Sequence, residues 1–334
     1  MLTIIIAWPE FDKGVYVVEL ETEIAGITLK NPLGLGSSRL GYTGSQLVLA
    51  AKQGFGFVVT KSISIDPREG YESPCIYKGN GYMLNAEGLP NLGMKQIKRE
   101  IAFYNENAGE HRVPLGVSIF GSTPRDFETI VEYLDSEKFE FFELNLSCPH
   151  SDPTKKEACY LIGQDPDLTA EVVEVVRKNT GKPIFVKLTP SVLNISYIAK
   201  CAVKAGADVI TATNTMPAMD VTVNGDSRGK PVLSNTTGGL SGHALLPISL
   251  KCVYNIRDRL PITPIVGVGG ICHGEDIVKY FFVGANAVQA VSVFYNDGGY
   301  NNVRRILDEL KLYMIKNDYY RIKDMAGLTH KKIR

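Results

Sequence analysis

Short apolar runs alternate with amphipathic stretches along most of the chain. Each run has the length of a buried strand and is rich in branched aliphatic or aromatic residues. We count eight runs, at residues 31–36, 56–61, 114–119, 139–146, 183–188, 207–213, 264–269 and 287–293. Eight buried strands separated by helices are typical of an α/β protein.

The stretches between these runs have the pattern of amphipathic helices. Asp165 and Pro166 form a capping residue followed by a first-turn proline, after which Leu168, Val172 and Val176 share one apolar face. Similar patterns occur at residues 191–205, 245–260, 274–283 and 301–314. Eight strand–helix units predict a single (β/α)8 TIM barrel. A doubly wound open sheet is the alternative, because the loss of one strand would break the count.

The amino-terminal segment has a different pattern. Apolar and polar residues alternate at 15–20 and 22–29 around a short connection, which predicts a β-hairpin. We therefore assign residues 1–30 to a hairpin that closes the barrel, 31–315 to the barrel and 316–334 to a carboxyl-terminal tail.

Three connections are longer than the usual two to six residues. They cover residues 62–89, with a Gly-Asn-Gly turn at 79–81, residues 148–163, and residues 216–242, with a hairpin signal at 221–225. Each follows the carboxyl end of a predicted strand. We expect these long loops to lie over the face where barrels of this type carry their chemistry.

Composition narrows the class of partner. Lys and Arg number 36 and Asp and Glu number 36, so no net charge favours nucleic acid or an anionic membrane, and a small molecule is the expected partner. The apolar residues 2–8 are too few for a membrane span or a signal peptide. The six cysteines contain no C-x-x-C pair, which argues against a zinc or iron–sulfur site and favours reduced thiols in the cytoplasm.

Polar residues gather at the carboxyl ends of the predicted strands. They are Lys61, Ser118, Asn145, Lys187, Asn214, Gly269, Gly270 and Ser292. Gly269 and Gly270 precede a predicted helix, and Val291 and Ser292 end the next strand. This arrangement predicts a phosphate site after strands seven and eight.

Two residues in the middle of the chain are candidates for chemistry. The apolar run at 141–146 leads directly to Ser147 and Cys148, so we interpret Cys148 as a reactive cysteine at a strand end, or else as a partly buried structural thiol. Lys187 lies within an apolar strand and needs a partner. It could form a barrel-interior salt bridge, place a cation beside an electron-rich cofactor, or serve as the Schiff-base lysine of an aldolase.

Short motifs recur along the chain, at residues 60–62, 67–70, 85–91, 145–149, 186–188, 214–215, 238–242 and 269–270. In residue types and in order they resemble the class 1 dihydroorotate dehydrogenase family and the related FMN domain of dihydropyrimidine dehydrogenase. The resemblance runs from about residue 21 to about residue 293, and the Asn-Leu-Ser-Cys-Pro strand end is specific.

The resemblance implies an FMN-dependent oxidoreductase that acts on a CH–CH bond, oxidising dihydroorotate to orotate in pyrimidine biosynthesis. Cys148 would be the base, and Lys187 would stabilise the negative charge that develops on the flavin while the hydride passes to N5. The FMN-binding residues would be Ser37, Lys61, Ser62, Asn145, Lys187, Thr213, Gly242, Gly269, Gly270, Val291 and Ser292. The substrate-binding residues would be Lys61, Asn85, Glu87, Gly88, Leu89, Asn145, Asn214 and Thr215.

The chain departs from the dihydroorotate pattern at His150, Ser118, residues 291–292 and Glu87. Glu87 lies in the loop expected to receive the orotate carboxylate, where a second carboxylate would repel it. His150, Ser118 and Glu87 instead resemble dihydropyrimidine dehydrogenase, so a uracil or thymine enzyme is the alternative. Residues 88–91 follow the dihydroorotate pattern, and Glu87 and His150 could also be ordinary loop residues.

The family also suggests partners. A homodimer is expected, and electrons could pass to fumarate, to a quinone, or to nicotinamide through a partner subunit that carries flavin and an iron–sulfur centre. A phosphate-sugar aldolase that uses Lys187 is a rival from another enzyme class. A non-enzymatic binding barrel would not need Cys148, and the neutral charge balance weighs against an RNA-modifying dihydrouridine synthase.

Overall fold

The computed structural model describes residues 18–146 and 162–333. In chain order the strands are β1 (Thr22–Ile24), β2 (Ile27–Leu29), β3 (Leu33–Leu35), β4 (Phe57–Val59), β5 (Ile76–Lys78), β6 (Met83–Asn85), β7 (Leu115–Ile119), β8 (Phe141–Asn145), β9 (Ile184–Leu188), β10 (Val209–Ala212), β11 (Met216–Ala218), β12 (Gly238–Ser241), β13 (Ile265–Val268) and β14 (Ala287–Ala290). The α-helices are α1 (Gly44–Lys52), α2 (Gly93–Asn107), α3 (Pro124–Leu134), α4 (Pro166–Asn179), α5 (Ile195–Lys204), α6 (Leu246–Arg259), α7 (Gly274–Phe282), α8 (Asn301–Lys316) and α9 (Leu328–Ile333).

Eight parallel strands close into a barrel in the order β3-β4-β7-β8-β9-β10-β13-β14. Each falls within one of the predicted apolar runs, and each is followed by one of the helices α1–α8. The predicted TIM barrel is therefore confirmed, and the open-sheet alternative is wrong. The first barrel strand, β3, is shorter than its predicted run because the side chain of Asn31 is used elsewhere. This side chain accepts a hydrogen bond from Leu33 N and donates one to Gly54 O.

The barrel interior has an apolar layer below a polar one. Phe141 and Phe185 stack with their ring centroids 4.0 Å apart, and Phe57, Val209 and Ala287 belong to the same buried cluster. Side chains two residues further along a strand point to the same face. In β8, β9, β10 and β14 those positions hold Glu143, Lys187, Thr211 and Gln289, all of them buried, whereas in β4 the position holds Val59. The polar layer therefore lies nearer the carboxyl ends of the strands.

The amino-terminal hairpin is present, but its strands differ from the predicted pair. β1 and β2 both lie inside residues 22–29 and turn at Ala25 and Gly26, where φ is 49° and 76°. Glu19, from the first predicted stretch, instead exchanges backbone hydrogen bonds with Tyr320 and Ile322. Residues 15–17 of that stretch lie outside the described part of the chain. Two side chains of the hairpin, Ile24 and Leu29, are buried with the apolar interior of the barrel.

The long connections after two barrel strands are joined in one small sheet. β5 and β6 pair around the predicted turn at 79–81, and β6 also pairs with β12, which in turn pairs with β11. We call this four-stranded sheet the cap sheet. It combines residues from the connections at 62–89 and 216–242, two of the three loops predicted over the carboxyl face. Residues 148–161 of the third predicted loop lie outside the described part of the chain.

The segment after α8 returns to the barrel. Ile322 and Met325 are fully buried there, and α9 follows. Within residues 18–146 and 162–333, none of the helices is both long enough and apolar enough to cross a membrane.

Candidate active site

A cavity opens at the carboxyl ends of the barrel strands, below the cap sheet. Its volume is about 1100 Å³, which includes the part of the space that is open to solvent. The predicted site residues that line it are Ser37, Lys61, Ser62, Asn85, Glu87, Leu89, Asn145, Lys187, Thr213, Asn214, Thr215, Gly269, Gly270, Val291 and Ser292. Residues from all parts of the chain thus reach one space, although their separate roles stay predictions.

Two of the predicted site residues that the structure describes, Gly88 and Gly242, are not among the residues that line the cavity. Gly88 lies behind the surface, with φ +70° and a Cβ position 2.7 Å from the ring of Tyr71. Gly242 has φ +83° and a Cβ position 2.9 Å from Tyr82 Cα. Any larger residue would be strained at either position. Cys148 lies outside the described residues, as do Ser147 and His150.

A buried ionic group lies under the cavity. Lys187 Nζ is 3.3 Å from Glu143 Oε1 and 3.2 Å from Gln289 Oε1, and Gln289 Nε2 donates to Glu143 Oε2 at 2.7 Å. The Glu143 side chain is 0% exposed and that of Lys187 is 8% exposed. The barrel-interior salt bridge considered for Lys187 is therefore present. An ammonium has three donors, so one remains for a group bound in the cavity that Lys187 also lines.

Amides and hydroxyls form a hydrogen-bonded chain across the cavity. Asn214 Nδ2 donates to Asn145 Oδ1 at 3.0 Å, and Asn145 Nδ2 donates to Ser62 Oγ at 3.1 Å. Ser62 Oγ also lies 2.9 Å from Ser118 Oγ and 3.1 Å from Ser37 Oγ. Each amide is oriented by its neighbour, so this side of the cavity offers a fixed set of donors and acceptors for a planar ligand.

Glu87 is held between two cations. Its Oε2 lies 2.8 Å from Lys61 Nζ, and its Oε1 forms an ion pair with Arg39. The Glu87 side chain is 12% exposed, so the alternative of a solvated loop acid is wrong. Burial alone would raise the pKa of Glu87, but the ammonium of Lys61 and the guanidinium of Arg39 outweigh it and lower the pKa below 4.5. Glu87 is therefore ionised at neutral pH.

The residues present fit an FMN group. Lys187 can supply a cation and a donor from below, and Ser62 and Asn145 lie on the same wall. Gly269 and Gly270 follow β13 and line the cavity together with Val291 and Ser292, which follow β14. Strand ends of this kind bind phosphate in many barrels. The cation at the base of the cavity suits a flavin ring, and the glycine strand end at its side suits the phosphate.

Sequence reasoning missed Glu143, Gln289 and Arg39. Glu143 and Gln289 could have been found in the sequence, because a lone acid or amide inside an apolar strand needs a partner just as Lys187 does. No sequence pattern indicated Arg39, since it lies in a connection between elements and its side chain is 44% exposed.

The described residues also limit other chemistry. In residues 18–146 and 162–333, no group of three or more His, Cys, Asp or Glu residues lies close enough to hold a metal ion. Cys75, Cys201, Cys252 and Cys272 are free thiols.

Comparison with known proteins identifies a family. A family model described as dihydroorotate dehydrogenase matches residues 19–314, which extends past residue 293, where the resemblance seen in the sequence ends. The chain is similar to the "dihydroorotate dehydrogenase B (NAD(+)), catalytic subunit" of Methanocaldococcus jannaschii, with 38% identity over 312 residues, 93% of this chain and 98% of the relative. It is similar to the same subunit of Pyrococcus furiosus, with 38% identity over 314 residues, 94% of this chain and 100% of the relative.

A solved structure supports the fold. The crystal structure of the Eimeria tenella enzyme DHODH in complex with ferulenol aligns with a TM-score of 0.81, covering 93% of this chain and 89% of that chain. The two sequences are 24% identical, so this likeness bears on the shared fold alone.

Proposed function

The chain belongs to the dihydroorotate dehydrogenase family, in its class 1 branch, and from that premise we propose that it oxidises dihydroorotate to orotate in pyrimidine biosynthesis with FMN as cofactor. The observation that carries the proposal is the cavity beside Lys187, which brings a cation, an amide chain and a glycine strand end together. The relatives favour dihydroorotate over the uracil or thymine alternative.

The cavity residues would hold FMN in two parts. Gly269, Gly270, Val291 and Ser292 would bind the phosphate, with Gly242 nearby. The remaining FMN-binding residues would be Ser37, Lys61, Ser62, Asn145, Lys187 and Thr213. Once bound, FMN supplies the acceptor for the hydride that leaves C6 of dihydroorotate.

Lys187 would place a positive charge where negative charge develops during the reaction. Glu143 and Gln289 hold two of its donors, which fixes the ammonium and avoids reorganisation when the charge appears. A preorganised cation in a site shielded from water stabilises a developing anion more strongly than one in solvent.

Substrate recognition would fall to the asparagines. A pyrimidine dione presents both N–H and C=O groups, and amides supply both partners. Asn85, Asn145, Asn214 and Thr215 line the cavity, and Gly88 and Leu89 belong to the adjoining loop. Cys148 would accept the proton from C5 as a thiolate, since a thiol with a reference pKa near 8.5 can act as a base once its environment favours ionisation.

The relatives are catalytic subunits, so we further propose that this chain works with an electron-transfer subunit that carries flavin and an iron–sulfur centre and passes electrons to nicotinamide. The catalytic chains would form a homodimer. The free thiols of the described residues suit the reducing cytoplasm.

One anaerobic experiment tests the function. The purified protein is loaded with FMN, mixed with dihydroorotate or with dihydrouracil, and followed by flavin absorbance. We expect dihydroorotate to bleach the flavin and dihydrouracil to leave it oxidised. If only dihydrouracil bleaches the flavin, the protein is instead an enzyme of the uracil or thymine type. A protein that takes up no FMN and is trapped on a carbonyl substrate by borohydride would instead be an aldolase.

A further inference from the structure

The charges that line the cavity are already paired. In the described part of the chain the charged side chains of the lining are Lys61, Glu87 and Lys187. Lys61 pairs with Glu87, and Lys187 pairs with Glu143 beneath the surface. If the proposed function is right, the substrate brings a carboxylate into this space. An arriving anion binds a cation of this lining most closely if one of these two pairs opens, because the competing carboxylate is then removed.

The two pairs differ in how readily they can open. Glu143 is fully buried in the barrel, and its other oxygen already accepts from Gln289, so it has no alternative position. Glu87 lies at the side of the cavity and has a second cationic partner in Arg39, whose side chain is 44% exposed. Glu87 can therefore leave Lys61 and remain ion-paired, whereas Glu143 cannot leave Lys187 without becoming an unpaired buried charge.

The backbone around Glu87 is fixed, so only its side chain has to move. Glu87 O accepts from Tyr71 N at 2.9 Å, and Ala86 N donates to Cys75 O at 2.8 Å. These bonds tie the loop to the segment that leads into β5. Rotation about the side-chain bonds of Glu87 would move its carboxylate away from Lys61 without disturbing the loop that binds the pyrimidine.

We propose that Glu87 is a specificity-determining residue that acts as an internal carboxylate. It holds Lys61 while the site is empty and releases it to the carboxylate of the substrate, remaining paired with Arg39. This inference rests on the proposed function, because it concerns the anionic end of dihydroorotate. The trio of Lys61, Arg39 and Glu87 carries one net positive charge, which the substrate carboxylate neutralises.

The exchange has a definite sign. Because Glu87 competes with the substrate carboxylate, removing its charge strengthens the binding of an anionic pyrimidine and leaves a neutral one unaffected. A direct hydrogen bond from a pyrimidine N–H to Glu87 would have the opposite sign, since its loss would weaken both ligands. The two roles are therefore distinguished by the direction of the change.

The test compares orotate with uracil in the variant Glu87→Gln. Dissociation constants are measured on the FMN-loaded protein from the perturbation of flavin absorbance, together with KM and kcat for dihydroorotate. We expect the orotate dissociation constant and the KM to fall at least about tenfold, with uracil binding unchanged. Glu72→Gln, an exposed acid in the same long connection, is the matched control and should change neither constant.

A second variant tests the partner exchange. Arg39→Gln should weaken orotate binding several-fold, because Glu87 then has no other cation and stays on Lys61. In the Glu87→Gln background the same change should have a smaller effect. An equal effect in both backgrounds would overturn the exchange, because Arg39 would then act only as a positive charge near the ligand.

The outcomes separate this inference from the function. If dihydroorotate reduces the wild-type protein but Glu87→Gln binds orotate more weakly or equally well, the inference is overturned and the proposed function stands. A wild-type protein that dihydroorotate fails to reduce would overturn the proposed function itself. If Glu87→Gln does not fold, Arg39→Gln in the wild-type background still tests the inference, because unchanged or tighter orotate binding would overturn it.

Discussion

The ammonium nitrogen of Lys187 lies 3.3 Å from a carboxylate oxygen of Glu143, and both side chains are buried inside the barrel. A lone charge at this depth would be costly, whereas a pair that is also hydrogen-bonded to Gln289 is tolerated. The charge of Lys187 therefore depends on Glu143, which is not among the described residues that line the cavity.

The variant Glu143→Gln tests this dependence. It leaves Lys187 without a counter-charge in a buried position, so we expect the free energy of unfolding of the FMN-free protein to fall by about 3–5 kcal/mol. Urea denaturation measures the change. Glu137→Gln is the control, because its pair with Lys98 lies at the surface, where an ion pair contributes little to stability. Similar losses in the two variants would contradict the buried role of Glu143.

Cys148→Ser tests the base. A serine hydroxyl is a much weaker acid than a thiol and is not ionised at neutral pH, so we expect reduction of the flavin by dihydroorotate to slow by orders of magnitude. FMN content should stay normal, since the residues proposed to bind FMN are unchanged. Stopped-flow absorbance under anaerobic conditions gives the rate. Near-wild-type reduction would remove Cys148 from the role of base.

The hairpin makes a prediction about stability alone. Leu29 is 1% exposed and packs with the phenylalanines of the barrel interior, so Leu29→Ala should lower the free energy of unfolding by about 2–5 kcal/mol. Leu193→Ala should change it by less than about 0.5 kcal/mol, because Leu193 is fully exposed. Denaturant titration compares the two. A small loss for Leu29→Ala would mean that the hairpin contributes little to the barrel.

Glu87 predicts a pH dependence. Burial favours its neutral form, but Lys61 and Arg39 outweigh this and lower its pKa in the folded state below 4.5. Its contribution to stability is therefore present at pH values above 4.5 and is lost as the pH falls through the lower, folded pKa. Unfolding of the wild type and of Glu87→Gln should differ at neutral pH and converge in acid. A difference that grows with acidity would contradict the ion pairs.

The sequence predicts the barrel because each strand is a local feature. An apolar run between turn residues is visible without knowledge of its neighbours, and the strand count then determines closure. The gathering of Lys61, Asn145 and Lys187 at one end follows from their positions in the runs. The same reasoning could not pair Lys187 with Gln289, because 102 residues separate them and they meet only after the barrel closes.

Two other features depended on contacts that sequence patterns do not show. Glu19 alternates with its neighbours as a hairpin strand would, yet it pairs with the backbone of Tyr320 and Ile322 from the far end of the chain. Glu87 has the sequence context of an exposed loop acid, and only the approach of Arg39 and Lys61 makes it an internal ion pair. The local sequence pattern cannot distinguish a side chain that faces solvent from one that faces another loop.

The cap sheet has a mechanical consequence. β6 and β12 are hydrogen-bonded in register, with Asn85 opposite Gly239 and Met83 opposite Ser241. These hydrogen bonds join two stretches of chain more than a hundred residues apart in one sheet above the cavity. A movement of either connection therefore carries the other with it for as long as these hydrogen bonds hold, so the two loops respond to a bound ligand as one body.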